Sequence, residues 1–246
     1  MGLFRTFFQK LFKALFYGIV ALTLVFCGAV VFFMTWEPDR GTYPHRGLHL
    51  SEANGAIDFS MLARDDVSFV YLRVSQGDDR ADPAFAANWE AASHAGLPVG
   101  GAHVLSPCVP GADQAGFFLS RLPAGQDMLA PVLELDGGAT PDCPAQDPAD
   151  FRRTITAFVQ TVEQGTGGQV ILRASEEVYR SVLRGAGLNR PLWARSLWRS
   201  PSYVRDWRIW SYQSRGAVRG ILGDADLNVL AAGLTPEDLR LPTPSN

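Results

Sequence analysis

Two patterns of hydrophobic positions divide the chain. An unbroken run of about 21 uncharged residues, Ala14 to Met34, precedes a longer stretch in which short apolar runs alternate with segments of helical spacing. As a helix, the first run would span roughly 31 Å, which matches the hydrocarbon core of a bilayer. The sequence therefore predicts a transmembrane helix over residues 14–34, followed by a linker at residues 35–45 and then a globular domain.

The charges that flank this run predict its orientation. Residues 1–13 contain three basic residues and no acid, whereas Glu37 and Asp39 follow the run. The positive-inside rule then predicts a cytoplasmic tail, a single pass through a bacterial inner (cytoplasmic) membrane, and a periplasmic or extracytoplasmic domain. A cleaved signal peptide is the alternative, but the run is long for one and no small-x-small cleavage site follows it.

The remaining chain alternates between β-type and helical patterns. Strands are predicted at 46–51, 67–75, 97–105, 128–136, 169–175, 191–197, 208–214 and 221–230, with helical segments at 56–66, 83–96, 112–122, 148–167 and 175–187. Strands that alternate with helices are typical of βαβ units and a largely parallel sheet. About eight strands in this length predict an α/β fold, an irregular TIM-like β/α barrel over residues 46–232, with a tail at 233–246.

One predicted strand ends in two carboxylates. In the sequence PVLELD, Glu134 and Asp136 share one face of the strand, while Leu133 and Leu135 share the other. The Cα atoms of the two acids would lie roughly 6.6 Å apart, so their carboxyl groups can reach the roughly 5–9 Å separations used in glycoside hydrolysis. The alternative is a strand that runs out into solvent through acidic residues before a glycine turn.

Polar residues also end most of the other predicted strands. Active sites of β/α barrels lie at the C-terminal ends of the strands, so these side chains are expected to share one mouth. Such a gathering of carboxylates, histidines and amides predicts a carbohydrate site. Trp193, Trp198, Trp210 and Tyr212 could supply flat faces for sugar stacking, or belong to the core. The polar residues are His49, Ser51, Ser75, Gln76, His103, Glu134, Asp136, Arg173, Ser175, Arg195, Gln213, Asp226 and Asn228.

Composition narrows the classes of partner. A net charge of −3 and a pI of about 5.8 give no general basic surface, which argues against a nucleic-acid partner. The three cysteines lack C-x-x-C spacing and only four histidines accompany them, so we expect neither a metal site nor a cofactor.

Two of the cysteines are expected to form a disulfide. Cys108 and Cys143 lie in proline-rich loops that follow two predicted strands, and the predicted compartment is oxidising. A bridge between them would close a loop of about 35 residues and contribute roughly 3–4 kcal/mol in the chain-entropy model. Two free thiols are the alternative.

The order of these motifs resembles glycoside hydrolase family 25, the lysozyme (N-acetylmuramidase) family, from about Arg46 to Leu230. The segments that carry the resemblance are RGLHLSEANGAIDF, FVYLRVSQG, FAANWEAASHAGLPVGGAHVL, ADQAGFFL, APVLELD, PLWARSL and WSYQSRGAVRGILGDADLN. The resemblance implies an irregular β/α barrel, activity on peptidoglycan glycan strands, and no need for a metal or cofactor. It implies that the carboxyl at position 136 is the general acid, and that the one at position 134 stabilises the charged transition state or assists the substrate's N-acetyl group.

The departures from the family pattern lie at positions that the resemblance assigns to the active site. His49 stands where the family has its opening aspartate, and Gln76 where it commonly has glutamate. The usual order Asp-x-Glu is reversed to Glu134 and Asp136, which shifts each carboxyl by about one methylene. His103, Gln213, Asp226 and Asn228 remain as the pattern expects. A misplacement of roughly 1 Å can cost about a hundredfold in rate.

Three functions are therefore compatible with the sequence. The first is a membrane-anchored muramidase-like hydrolase that cuts the β-1,4 glycan of peptidoglycan, with Glu134, Asp136 and Asp226 as catalytic residues. The second is an impaired member that binds glycan or a cell-wall protein partner without cleavage, and the third is a hydrolase of another glycan. Exchanged roles, with Glu134 as the acid, are also possible. The substrate-binding candidates are His49, Gln76, His103, Trp193, Gln213 and Asn228.

Overall fold

The computed structural model of the chain describes residues 2–123, 127–136, 143 and 146–242, which divide after Glu37 into two compact units. The first unit is one helix, α1 (Gly2–Thr35), which includes the predicted membrane span. Its 25-residue segment Gln9–Phe33 is long and apolar enough to cross a membrane, as a signal anchor or a signal peptide would be. Part of the predicted C-terminal tail, residues 243–246, lies outside the described residues.

The second unit is a closed barrel, as predicted. Eight strands close it in the order β1-β9-β8-β7-β6-β5-β4-β2, and β2 pairs with β1. The barrel is irregular because β9 runs antiparallel to both of its neighbours, β1 and β8, whereas the other barrel pairs are parallel. The strands are β1 (Arg46–Leu50), β2 (Val67–Gln76), β4 (Val99–Val104), β5 (Leu129–Glu134), β6 (Ile171–Ser175), β7 (Leu192–Arg195), β8 (Trp207–Gly216) and β9 (Ala225–Leu230), with a two-residue β3 (Arg80–Ala81) at the edge of β2.

Helices pack outside the barrel through apolar stripes. The longest of them, α5, starts at the N-cap Asp147, whose side chain accepts a hydrogen bond from the Ala149 amide, and ends at Gly167 in the left-handed conformation. Its buried face repeats at helical spacing. The helices of this unit are α2 (Phe59–Arg64), α3 (Phe85–His94), α4 (Gly111–Leu119), α5 (Pro148–Thr166) and α6 (Glu176–Val178), with 3-10 turns at Glu52–Asn54 and Pro236–Leu239.

Two predicted elements are shorter than expected. The helix predicted over 175–187 ends with a π-helical turn at Tyr179–Leu183, and Gly185 and Gly187 follow it with positive φ. The strand predicted over 221–230 starts only at Ala225. Glycines interrupt both apolar runs, at Gly185 and Gly187 in the first segment and at Gly223 in the second, which the hydrophobic pattern alone does not show.

Alternation along the strands creates two apolar layers. One set of side chains faces the helices, and the other fills the barrel interior with Phe69, Tyr71, Ala102, Leu129, Val132, Ile171, Trp193, Ile209, Leu230 and Leu239. Gly100 makes room for the interior aromatic rings, because a Cβ there would lie 2.2 Å from the ring of Tyr71. The interior is therefore a packed core over most of its depth, and polar side chains can gather only at its ends.

Candidate active site

Polar side chains replace apolar ones on the inward face where the parallel strands end. Val132 is followed on its face of β5 by Glu134 and Asp136, and Trp193 on β7 is followed by Arg195. The antiparallel β9 reaches the same mouth through its beginning, where Asp226 pairs in register with His49 of β1. The resulting group is His49, Arg73, Glu134, Asp136, Arg173, Arg195, Ser211, Asp226 and Asn228.

Four of these residues form a closed ring of charges. Glu134 contacts His49 through Oε1, 3.0 Å from Nε2, and contacts Arg173 through Oε2. Asp226 Oδ2 contacts Arg173 Nη2 and lies 3.6 Å from His49 Nδ1. The 3.0 Å contact is an ion pair without good hydrogen-bond alignment, because neither atom has a hydrogen-bond partner among the described residues. Each carboxylate thus faces both cations, and the ring is neutral when His49 is protonated.

The ring determines the protonation of its members. Burial alone would raise the pKa of Glu134, but the charges of His49 and Arg173 outweigh burial and hold this pKa far below its usual range. Burial likewise opposes the charge on His49, yet Glu134 and Asp226 raise the pKa of the imidazole above its ordinary value. The pKa of Asp226 is lowered in spite of burial by His49 and Arg173. The two cations therefore favour the ionised form of Glu134.

Asp136 lies nearer to solvent than Glu134 and is held by two hydrogen bonds outside the charge ring. Its Oδ2 accepts a hydrogen bond from Arg195 Nη1 at 2.9 Å, and its Oδ1 accepts one from the Ser175 amide at 3.1 Å. About 16% of its side chain and 33% of that of Arg195 are exposed. Asp136 can therefore meet a ligand at the mouth of the barrel, but both of its oxygens face donors.

Two predicted substrate contacts form the floor of the site instead. Trp193 is fully buried, with His49 against its ring edge and the Arg173 guanidinium 5.2 Å from its ring centroid. Its indole Nε1 donates to Ser211 Oγ at 2.8 Å and to Asn228 Oδ1 at 3.1 Å, and Asn228 is fully buried too. Neither residue offers a surface to a sugar, because both side chains are fully buried.

His103 does not join the group. Its ring stacks on Phe158 of α5 at 4.8 Å, and it contacts Ser75 Oγ at 2.9 Å and Gln114 Oε1 at 3.2 Å. Burial lowers the pKa of His103 to about 4. The buried side chain points toward the helices and away from the interior that Ala102 faces, so in this structure it packs against α4 and α5 and does not reach the mouth.

Other predicted substrate-binding residues lie at the rim of the barrel mouth. Gln76 ends β2 and Gln213 lies on β8, and both are half-buried. Of the four aromatic candidates, Trp193, Trp210 and Tyr212 are buried, whereas Trp198 exposes 47% of its surface in the loop after β7. Only Trp198 among these four can therefore stack on a sugar.

The sequence prediction missed Arg73 and Ser211. Arg73 follows Tyr71 on the inward face of β2, and Ser211 follows Ile209 on that of β8. The strand pattern could have predicted both positions. Alternate residues of a strand share a face, and in each strand the residue two positions earlier is a large apolar one that faces inward.

The expected disulfide is confirmed. Cys108 and Cys143 are bonded with a Cα–Cα separation of 5.7 Å, which joins the loops after β4 and β5 at the mouth of the barrel. Within the described ranges, no group of three or more His, Cys, Asp or Glu side chains is arranged to hold a metal ion.

Fold and site together define a closed β/α barrel with charged side chains at the mouth where barrel enzymes act, and comparison with known proteins names its family. The sequence model of glycosyl hydrolases family 25 matches residues 48–221, so the chain belongs to that family. The uncharacterized protein YegX of Escherichia coli strain K12 is 27% identical over 206 residues, 81% of this chain and 73% of YegX. Lysozyme M1 of Streptomyces globisporus is 26% identical over 197 residues, 74% of this chain and 66% of that protein.

Solved structures agree with this assignment. A family 25 glycosyl hydrolase from Bacillus anthracis superposes with a TM-score of 0.72 at 26% identity, covering 79% of this chain and 91% of that structure. The family and the irregular barrel predicted from the motif order are thereby confirmed, and the chain is a member of a family that includes lysozymes.

Proposed function

We propose that this protein is a membrane-anchored, lysozyme-like glycoside hydrolase that acts on the β-1,4 glycan of peptidoglycan. The observation that carries the proposal is the position of Glu134, Asp136 and Asp226 at the mouth of a family 25 barrel. Glycoside hydrolysis needs one carboxyl that donates a proton to the leaving oxygen and one that stays ionised beside the developing positive charge.

The electrostatics support an assignment of these roles. The ionised form of Glu134 argues against it as the general acid, because His49 and Arg173 lower the pKa of this carboxyl. Asp136, at the mouth, is then the acid, and Glu134 with Asp226 supplies the negative charge. This is the order of roles that the family resemblance implies, and it argues against the exchanged roles.

The anchor and the compartment belong to the same proposal. Helix α1 would hold the domain at the inner membrane with its basic N-terminal end in the cytoplasm. The Cys108–Cys143 disulfide supports an oxidising location for the barrel, where the cell wall is accessible.

A second candidate function is glycan or wall-protein binding without cleavage. It is favoured by the neutral charge ring, because His49 and Arg173 oppose the positive charge that develops at the reacting sugar. It is also favoured by the two donors, Ser175 and Arg195, that occupy both oxygens of Asp136.

Release of reducing ends from purified peptidoglycan tests the first candidate. The full-length protein in detergent is compared with Asp136→Asn, and with Glu90→Gln on the exposed face of α3 as a matched control. Activity that disappears in Asp136→Asn and persists in the control supports the hydrolase. No release by the unmutated protein, with retention on sedimented cell walls, supports the binding function, and absence of both refutes both.

A further inference from the structure

The mouth of the barrel contains more basic than acidic groups. Arg73, Arg173 and Arg195 come from β2, β6 and β7, and with a protonated His49 they make four cations. The carboxylates are three: Glu134, Asp136 and Asp226. Glu134 and Asp226 raise the pKa of His49, which favours its charged form, and with His49 charged the four cations of this cluster outnumber its three carboxylates.

Three of the four cations are already engaged. Arg173 bridges Glu134 and Asp226, His49 contacts the same two carboxylates, and Arg195 donates to Asp136.

Arg73 is the exception. Its closest carboxylate oxygen is Glu134 Oε1, 4.0 Å from Nε, which is beyond hydrogen-bond distance. That Nε is buried and has no hydrogen-bond partner among the described residues, while 35% of the side chain is exposed at the mouth. A buried donor without a partner is costly, and a guanidinium pairs best with a carboxylate. Glu134 Oε1 also lacks a hydrogen-bond partner within the described part of the chain, but at 4.0 Å it makes only a long ion pair with this Nε, and the exposed part of the Arg73 side chain remains accessible to a ligand at the mouth.

We propose that Arg73 binds a carboxylate of the glycan substrate and makes the domain selective for carboxylate-bearing strands. This inference rests on the proposed function, since the ligand belongs to the same mouth as Asp136. In peptidoglycan, the carboxylate can come from the lactyl group of a sugar without a stem peptide or from the stem peptide itself. The shared chemistry is a carboxylate within reach of the barrel mouth.

Binding of four soluble glycan preparations to the full-length protein in detergent tests the proposal. They are strands freed of stem peptides, strands that keep them, and both after conversion of their carboxylates to methyl amides. We expect the unmutated protein to bind the charged strands about tenfold or more tighter than the amidated ones, since a charge-assisted hydrogen bond is lost. Preference for peptide-free or for peptide-bearing strands identifies the source of the carboxylate.

Variants separate recognition from stability. Arg73→Gln should reduce the ratio of affinities for charged and amidated strands to near one, and Arg73→Lys should retain part of it. Arg208→Gln, an exposed arginine at the start of β8 and thus at the opposite end of the barrel, should leave the ratio unchanged. Thermal unfolding of each variant shows whether it is folded.

The outcomes distinguish this inference from the proposed function. Equal binding of charged and amidated strands by the unmutated protein overturns the role of Arg73 but leaves a glycan-directed domain, and this comparison needs no variant. An unchanged ratio in folded Arg73→Gln overturns it as well. Failure to bind or cleave any preparation overturns the proposed function together with the inference.

Discussion

Removal of Arg173 should destabilise the barrel far more than removal of Arg195. In Arg173→Met, the buried Glu134 loses one of its two cations and Asp226 does too, which leaves a net negative charge in the ring. Breaking a buried ion pair by removing one partner costs about 3–5 kcal/mol, because the remaining charge is left uncompensated in a poorly solvated place. Arg195→Met should cost about 1 kcal/mol or less, since this side chain is 33% exposed.

Urea unfolding followed by tryptophan fluorescence measures both effects on the full-length protein in detergent. The double variant Arg173→Met with Glu134→Gln should recover part of the loss, because the uncompensated carboxylate is removed, and a double-mutant cycle gives the coupling. The reasoning is refuted if the two arginine variants lower the free energy of unfolding equally, or if the double variant is no more stable than Arg173→Met.

Three further results are expected. The folded domain favours neutral His103, so about 3 kcal/mol of stability is lost as the pH falls from the ordinary histidine pKa of 6.5 to about 4. The variant His103→Gln should therefore show a smaller fall in melting temperature at acidic pH than the unmutated protein. An identical fall in both proteins contradicts the assignment. Cys108→Ser with Cys143→Ser should lower the free energy of unfolding by about 3–4 kcal/mol, and reductant should affect only the unmutated protein. The variant Gly100→Val should disrupt the barrel interior by steric overlap, whereas Gly116→Ala, with open space around it, should be tolerated. Circular dichroism compares the stability of the two variants, and equal stability would contradict this packing.

Much of the barrel follows from local patterns. The segment around Glu134 alternates strongly, so the sequence placed this residue and Asp136 on the face opposite Leu133 and Leu135, and the structure agrees. The proline-rich sequence around Cys108 and the predicted oxidising compartment were likewise enough to predict the disulfide of this residue. In these segments apolar and polar side chains differ clearly along the chain, so one orientation of the strand is strongly favoured.

The site was less predictable where that contrast is weak. Strand β4 reads VGGAHV, and its glycines give no apolar face from which to decide that His103 points outward. Trp193 could not be distinguished from a sugar platform, since both faces of a parallel strand are covered. The charge ring depends on contacts between residues such as Glu134 and Arg173, 39 positions apart, which no local pattern encodes.

Closure of the barrel also constrains how the molecule folds. Strand β9 is the last of the chain and inserts between β1 and β8, so that Arg46 pairs with Val229. Pairing across such a sequence separation is slow, because loop-closure entropy is lost before the contacts form. The His49–Asp226 contact spans the same seam, so the mouth is assembled only when the final strand docks. If the barrel crosses a membrane as proposed, its site would stay incomplete until the segment that contains β9 had crossed as well.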